Sequence, residues 1–197
     1  VKKRIMDIII SLCAAILFSV LGALIAILIK STSKGPVFVK LARIGEHGAP
    51  FEIYKFRSMV ANAHSLKTEL LSQNERNGPL FKMKQDPRIT RFGRFLRRFS
   101  LDELPNFYNV LIGNMSLVGP RPHEPEEVGQ YQGYQRKLLN IKPGITGLAQ
   151  ISGRSSLNFD EEARLDLYYV ENWSIKTDIA ILFKTPFVVL FRKNEVA

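Results

Sequence analysis

Asp102 and Glu103 stand side by side in the run Ser100-Leu101-Asp102-Glu103-Leu104-Pro105, inside a strongly basic neighbourhood. Upstream, residues 88–99 carry five arginines, and downstream Arg121 sits between two prolines in Gly119-Pro120-Arg121-Pro122. Adjacent carboxylates suit a hard divalent cation such as Mg2+, which takes oxygen ligands and completes its octahedron with water and substrate phosphates. With one carboxylate on the ion, the other is free to attack phosphorus, a known mode of covalent catalysis. Glycosidase chemistry fits less well, because its two carboxyls flank the scissile bond about 5–9 Å apart. The prolines restrict the backbone on either side of Arg121, so its guanidinium loses little freedom on making bidentate phosphate contacts.

The same acidic pair has a purely structural explanation. Ser100-x-x-Glu103 matches the capping box, with Asp102 adding favourable charge at the positive end of a helix. Pro105 counts against that register. With Ser100 as cap it falls at the fifth helical position, where it lacks the donor needed by the Leu101 carbonyl. Proline is comfortable at the first helical position, which makes Leu104 the cap and leaves the acids just ahead of a helix N-terminus. Capping and catalysis both remain open on spacing alone.

Several elements must position this pair. Residues 8–29 are uncharged and mostly aliphatic, broken only by Ser11, Ser19 and Gly22. As one helix they would be roughly 33 Å long, enough to cross a bilayer core. Lys2, Lys3 and Arg4 precede the run, and Lys30 and Lys34 follow it, so charge gives no clean orientation. A re-entrant path reconciles basic flanks at both ends but needs a break, and the midpoint offers only Ser19-Val20-Leu21-Gly22.

Residues 37–44 and 51–57 are β-rich runs joined through Gly45, Gly48 and Pro50, a hairpin pattern that places Lys55 and Arg57 on one strand face. Residues 62–73 have helix-forming composition, ended by Asn77-Gly78-Pro79. In residues 88–99 the apolar stripe Phe92, Phe95, Leu96 and Phe99 opposes Arg91, Arg94 and Arg98, which makes a basic amphipathic helix, weakened by Gly93. Residues 106–113 continue as a helix closed by Gly113, and residues 140–147 carry turn chemistry. Asn158 is positioned to cap a helix over 159–169, and the apolar tail 179–191 is too short to span a membrane.

Lys and Arg outnumber Asp and Glu by 28 to 18, a formal net charge of +10, which calls for an anionic partner: nucleic acid, a membrane surface or a phosphorylated substrate. The single cysteine, Cys13, excludes an intramolecular disulfide framework. The fold class expected is α+β and mainly α-helical. It divides into an N-terminal membrane helix over residues 1–34, re-entrant or spanning, and a membrane-associated catalytic domain over 35–197. A small β-hairpin and amphipathic interfacial helices surround the active site.

Taken in order, five motifs resemble the monotopic phosphoglycosyl transferases, the bacterial sugar transferases. They are Lys55-Phe56-Arg57-Ser58-Met59, Asp86-Pro87-Arg88-Ile89-Thr90, Leu101 to Asn106, Met115 to Pro122, and Lys142-Pro143-Gly144-Ile145-Thr146-Gly147. The resemblance implies transfer of a sugar-1-phosphate from a nucleotide sugar, usually a UDP-sugar, onto undecaprenyl phosphate at the cytoplasmic face of the bacterial inner membrane. It implies Asp102 as nucleophile, Glu103 as ligand of a Mg2+ cofactor, and Arg121 as a phosphate-binding residue. Lys55, Arg57, Arg88, Arg154 and Asp166 are further pocket residues on the same footing. The implied partners are a nucleotide sugar, a polyprenyl phosphate lipid and the membrane, with no nucleic acid; a homo-oligomer is compatible. Members of that family usually carry Ser-Pro at the membrane-helix break, where this chain has Ser19-Val20, and often Trp at the position of Leu148. Larger members have an additional N-terminal membrane region, of which a chain beginning at Val1 would be an excerpt. The alternative from another class is a membrane-tethered basic nucleic-acid-binding protein, motivated by the charge and the arginine-aromatic helix.

Overall fold

The computed structural model describes residues 1–75, 80, 81, 83, 85–153 and 156–191. The apolar N-terminal run is not one helix. It forms α1 (Lys2–Leu17) and α2 (Ser19–Thr32), which meet at Phe18 at an angle of 56°, and among the described residues no single helix is long and apolar enough to cross a membrane. No proline is needed for the break. Phe18 leaves helical geometry (φ −89°, ψ 3°), the Ser19 hydroxyl donates to the Ile16 carbonyl, and the Phe18 ring stacks on Phe107. Tertiary contact thus bends a segment whose composition alone predicts a straight rod.

Both ends of this bent pair are tied to the rest of the molecule. Lys3 Nζ donates to Asp178 Oδ2 at 2.6 Å and to the Val118 carbonyl at 3.0 Å, and Arg4 donates to the carbonyls of Val110 and Leu111. Asp7, buried in α1, accepts from the Ser116 hydroxyl and the Leu117 amide. At the far end, the Arg57 guanidinium donates to the Ser33 and Lys34 carbonyls and to the Ser33 hydroxyl. Gly35 permits this closure: its φ is +122°, and a Cβ there would lie 2.1 Å from the Arg57 guanidinium. Between these anchors the outward residues are apolar, Ile9, Ile16, Leu17, Val20, Leu24 and Ile27 each being more than half exposed.

The hairpin forms as its alternation predicts, β1 (Phe38–Ile44) pairing antiparallel with β2 (Pro50–Phe56) in the register Lys40↔Tyr54 and Leu41↔Ile53. Helix α3 (Ala63–Glu69) and a short turn follow; the proposed stop at Asn77-Gly78-Pro79 lies outside the described residues. The basic amphipathic helix is α4 (Arg91–Arg98), capped by the Thr90 hydroxyl, which accepts from the Gly93 amide. Gly93 lowers helix propensity for a packing reason. A Cβ there would fall 1.8 Å from the Ser58 carbonyl oxygen, so the glycine lets α4 lie directly on the chain leaving β2.

Neither capping register foreseen for the acidic pair occurs. Ser100 adopts a left-handed conformation (φ 53°) and makes no side-chain cap, Leu101–Glu103 form one tight turn, and α5 (Asn106–Ile112) starts after Pro105, closed by Gly113 at φ 93°. Asn109, fully buried on α5, accepts from the Tyr54 amide and donates to the Glu52 carbonyl, locking α5 to the edge of β2.

Sequence periodicity misses a second, parallel strand pair, β3 (Ser116–Val118) with β4 (Gly144–Thr146), separated in the chain by the short helix α6 (Pro125–Val128) and a 3-10 segment. Three residues per strand are too few to show a period. The pair depends on backbone proximity: a Cβ on Gly144 would lie 2.1 Å from the Gly119 nitrogen. The short helix α7 (Leu148–Ser152) then leads to α8 (Phe159–Glu171), capped by Asn158 as expected, and to α9 (Ile175–Leu190), longer than the foreseen tail and containing Pro186. The main core joins Ile53, Val110, Met115, Leu117, Val118, Tyr169 and Ile181, so the hairpin, α5, β3, α8 and α9 share one interior.

Candidate active site

The turn 101–103 presents its two acids differently. Asp102 is buried, 7% exposed, whereas Glu103 is partly open and its Oε1 accepts from Lys55 Nζ at 2.7 Å. Strand alternation explains the partner: Lys55 lies on the opposite face of β2 from Tyr54 and Phe56, and α5 fixes the height of the turn against that strand.

The arginine nearest in effect to Asp102 is Arg97, not one of the three on the stripe expected to be polar. Arg97 is four residues from Gly93 and therefore shares the helix face pressed on Ser58, whose hydroxyl accepts from Arg97 Nε at 2.9 Å. Desolvation lowers its pKa, opposed first by Asp102 and then by Asp86. Arg88, which acts on the same guanidinium, is clamped by Asp86 through Nε and Nη2, the latter 2.6 Å from Oδ2. Asp86 in turn sits below the usual carboxylate range: burial pushes it up, but the hydrogen bonds from Arg88 outweigh that.

Arg121 approaches from the β3–β4 side. The tight backbone contact of Gly119 with Gly144 and the 2.8 Å bond from the Gly144 amide to the Pro120 carbonyl set the turn that carries it. The carboxylates acting most strongly on its charge are Glu162, Glu103, Glu127 and Glu124. Arg43, 9% exposed, pairs with Glu124 at 3.3 Å and feels Arg121 and Glu103 as well. A cluster of cations, Arg43, Lys55, Arg97 and Arg121, thus surrounds the acidic turn, with Arg88 behind it.

The expected pocket residues divide accordingly. Lys55, Arg88 and Arg121 converge on the acidic turn or its immediate surroundings. Arg57 does not; it is committed to the carbonyls at the end of α2. Arg154 lies outside the described residues. Asp166 lies behind the Arg121 turn, fully buried, accepting weakly from the Arg121 and Ala149 amides at 3.4 Å each. Arg43, Arg97, His123, Glu124 and Glu162 were missed. Glu162 had a legible signal, since it sits four residues before Asp166 and so on the same face of α8. His123 is buried, hydrogen-bonded through Nδ1 to the Tyr131 hydroxyl, with Nε2 3.6 Å from Glu162.

Burial, reinforced by Glu162, pushes the Asp166 carboxyl up to about 8. The folded protein therefore holds a proton there that the unfolded chain, near 3.8, releases. From the linkage relation, this group's contribution to stability is full below about pH 4 and declines as pH rises toward 8. Asp166→Asn should flatten that decline, measured as melting temperature against pH for the two proteins in the same detergent.

Comparison with known proteins gives this constellation its family. Residues 1–192 match the model of the bacterial sugar transferase family. The chain is 44% identical over 191 residues to the galactosyl transferase CpsE of Streptococcus agalactiae, covering 96% of this chain and 42% of that protein. It is 46% identical over 199 residues to the undecaprenyl-phosphate galactose phosphotransferase of Salmonella typhimurium, covering 96% of this chain and 40% of the relative. With the exopolysaccharide production protein ExoY of Sinorhizobium fredii it shares 39% identity over 197 residues, 98% of this chain and 87% of the relative. The chain thus spans about two fifths of the length of the Streptococcus and Salmonella proteins, and most of the Sinorhizobium one. With the family model matching from the first residue of α1's cap to beyond α9, the chain belongs to the bacterial sugar transferases.

Proposed function

We propose that this protein transfers a sugar-1-phosphate from a UDP-sugar to undecaprenyl phosphate, through a covalent intermediate on Asp102. The observation that carries the proposal is a buried carboxylate, Asp102, whose charge supports Arg97, beside Glu103, which holds Lys55 at 2.7 Å and acts on Arg43 and Arg121. Two relatives support the choice of substrates: the Salmonella protein is an undecaprenyl-phosphate galactose phosphotransferase, and a Klebsiella pneumoniae relative, 42% identical, is a UDP-glucose:undecaprenyl-phosphate glucose-1-phosphate transferase.

In the first half-reaction an Asp102 carboxylate oxygen attacks the phosphorus bearing the sugar. The bond from that phosphorus to the bridging oxygen breaks, and the nucleoside monophosphate leaves with the electron pair. Cations aimed at the oxygens where charge develops lower this barrier, and Arg97 and Arg121 are the groups placed to do so. In the second half-reaction the lipid phosphate attacks the same phosphorus, breaking its bond to Asp102 and restoring the carboxylate. Among the described residues no group of three His, Cys, Asp or Glu side chains converges as a metal cage. Glu103 alone nevertheless fits Mg2+, which needs one or two carboxylates and takes its other ligands from water and diphosphate oxygens. When bound there the ion neutralises charge on the diphosphate. Lys55, 2.7 Å from the Glu103 carboxylate, would be a cation beside any diphosphate held there.

The apolar bent pair α1–α2 suits entry into the bilayer from one face and return to it, because Lys3 and Arg4 at one end and Arg57 at the other bind both termini to one domain. We assign that face as cytoplasmic, where nucleotide sugars are available. In a background with Cys13, which is exposed, replaced by Ser, cysteines at Val1 and Lys34 should label from the same side of sealed vesicles. Labelling from opposite sides would refute re-entry. The activity itself is tested by incubating the protein with Mg2+, UDP-sugar and undecaprenyl phosphate: polyprenyl-diphosphate sugar and UMP should form in equal amounts. Salt-sensitive nucleic-acid binding without turnover would support the alternative class instead.

A further inference from the structure

An apolar cavity of about 510 Å³ lies beside the break between α1 and α2. One wall is Ala14, Ala15, Phe18 and Gly22, residues on either side of the bend; another is Phe38, Tyr54 and Phe56 of the hairpin. Its remaining wall starts at Leu104 and Pro105. Leu104 is two residues from Asp102, so their Cα atoms are separated by at most about 7.6 Å, two trans peptide units. The cavity therefore adjoins the acidic turn along the chain and the lipid-facing helices across it.

We propose that this groove seats the first isoprene units of the polyprenyl phosphate acceptor, an assignment that rests on the function proposed above and gives its lipid substrate a location. Three features favour this occupant over a generic apolar patch. The helix pair carries small side chains, Ala14, Ala15 and Gly22, where it borders the groove, while large aliphatic residues such as Ile16, Leu17 and Val20 face outward. The hairpin contributes aromatic faces from the side of the strands opposite Lys55, so apolar chain and phosphate chemistry are sorted to the two faces of β2. Finally, the groove's Leu104 follows directly on Glu103, whose carboxylate holds Lys55 at 2.7 Å, a cation that complements an anionic head at that end. A polyprenyl phosphate, one branched chain on a dianionic head, uses all three, whereas a diacyl phospholipid brings two chains and at most a singly charged phosphodiester to the same end.

A Cβ on Gly22 would lie 3.6 Å from the Phe56 ring, ordinary contact, so a longer side chain there must extend into the groove. Gly22→Leu should raise the KM for undecaprenyl phosphate about tenfold, as expected for displacing about two methylenes from an apolar site. The acceptor-independent burst of UMP from UDP-sugar serves as the internal reference and should keep its amplitude. Phe38→Ala, at the half-exposed rim, should shift the acceptor KM in the same direction without a risk to folding. An unchanged acceptor KM in both variants would overturn the proposal. Binding is read separately with Phe38→Trp, whose emission, taken as the difference from the parent protein with Trp173 alone, should shift to the blue with farnesyl phosphate but not with dioleoyl phosphatidylglycerol. An equal response to both lipids, or none to either, would also overturn it. If the farnesyl phosphate shift appears while no UMP burst is ever seen, the groove assignment stands and the catalytic proposal fails.

Discussion

Replacing Asp102 with Asn should lower sugar-phosphate transfer by at least about 10³-fold, the scale on which loss of a covalent nucleophile is felt. The protein should still fold, because Asn matches Asp in volume and the neighbouring Glu103–Lys55 pair is untouched. This substitution separates the two explanations of the acidic pair. If Asp102 only stabilised the start of a helix, Asn would serve nearly as well, since both are strong capping residues. The observed geometry already weakens that explanation: Ser100 is left-handed, the acids lie in a separate turn, and α5 begins beyond Pro105. Measured activity and melting temperature together make the distinction, with activity lost and stability retained.

The second large effect concerns stability. Asp178 is fully buried and accepts from Lys3 Nζ at 2.6 Å, the Tyr169 hydroxyl at 2.6 Å and Trp173 Nε1 at 3.1 Å. It therefore joins the start of α1 to α8 and α9. Asp178→Ala leaves Lys3, largely buried, without its counter-charge, takes the Asp178 acceptor from Trp173, and leaves the Tyr169 hydroxyl only its longer bond to the Val118 carbonyl at 3.2 Å. Removing one member of such a pair costs about 3–5 kcal/mol, far more than a surface ion pair. The same change at Glu52, whose bridge to Lys40 is more than half exposed on both sides, should cost less than about 1 kcal/mol. Denaturant unfolding of the two variants in one detergent checks the contrast. Equal losses would mean that the N-terminal anchor does not hold α1 in place.

Local patterns were legible in the sequence, and long-range ones were not. The hairpin, the Asn158 cap and Gly113 at the end of α5 are all set by residues close in the chain. Lys3 and Arg4 read as membrane flanks, and Asp7 carries no local signal, because their partners are more than 100 residues away. Arg57 shared a strand face with Lys55 by spacing, yet it lies just past the end of β2 and turns to the carbonyls of α2. Arg97 was passed over because periodicity marks which side of a helix is polar, not which polar side meets a site. Gly93 was the missing clue: a glycine inside a helix marks a close approach, and the residue four further on shares it. The bend at Phe18 had no proline to announce it and depends on packing against Phe107.

A covalent bond between Asp102 and the sugar phosphate is read by intact-mass measurement. Protein incubated with Mg2+ and a panel of UDP-sugars, without lipid acceptor, should gain the mass of one sugar phosphate. Peptide mapping should place it on Asp102, and undecaprenyl phosphate should discharge it. An adduct on another residue, or full turnover by Asp102→Asn, would contradict the account.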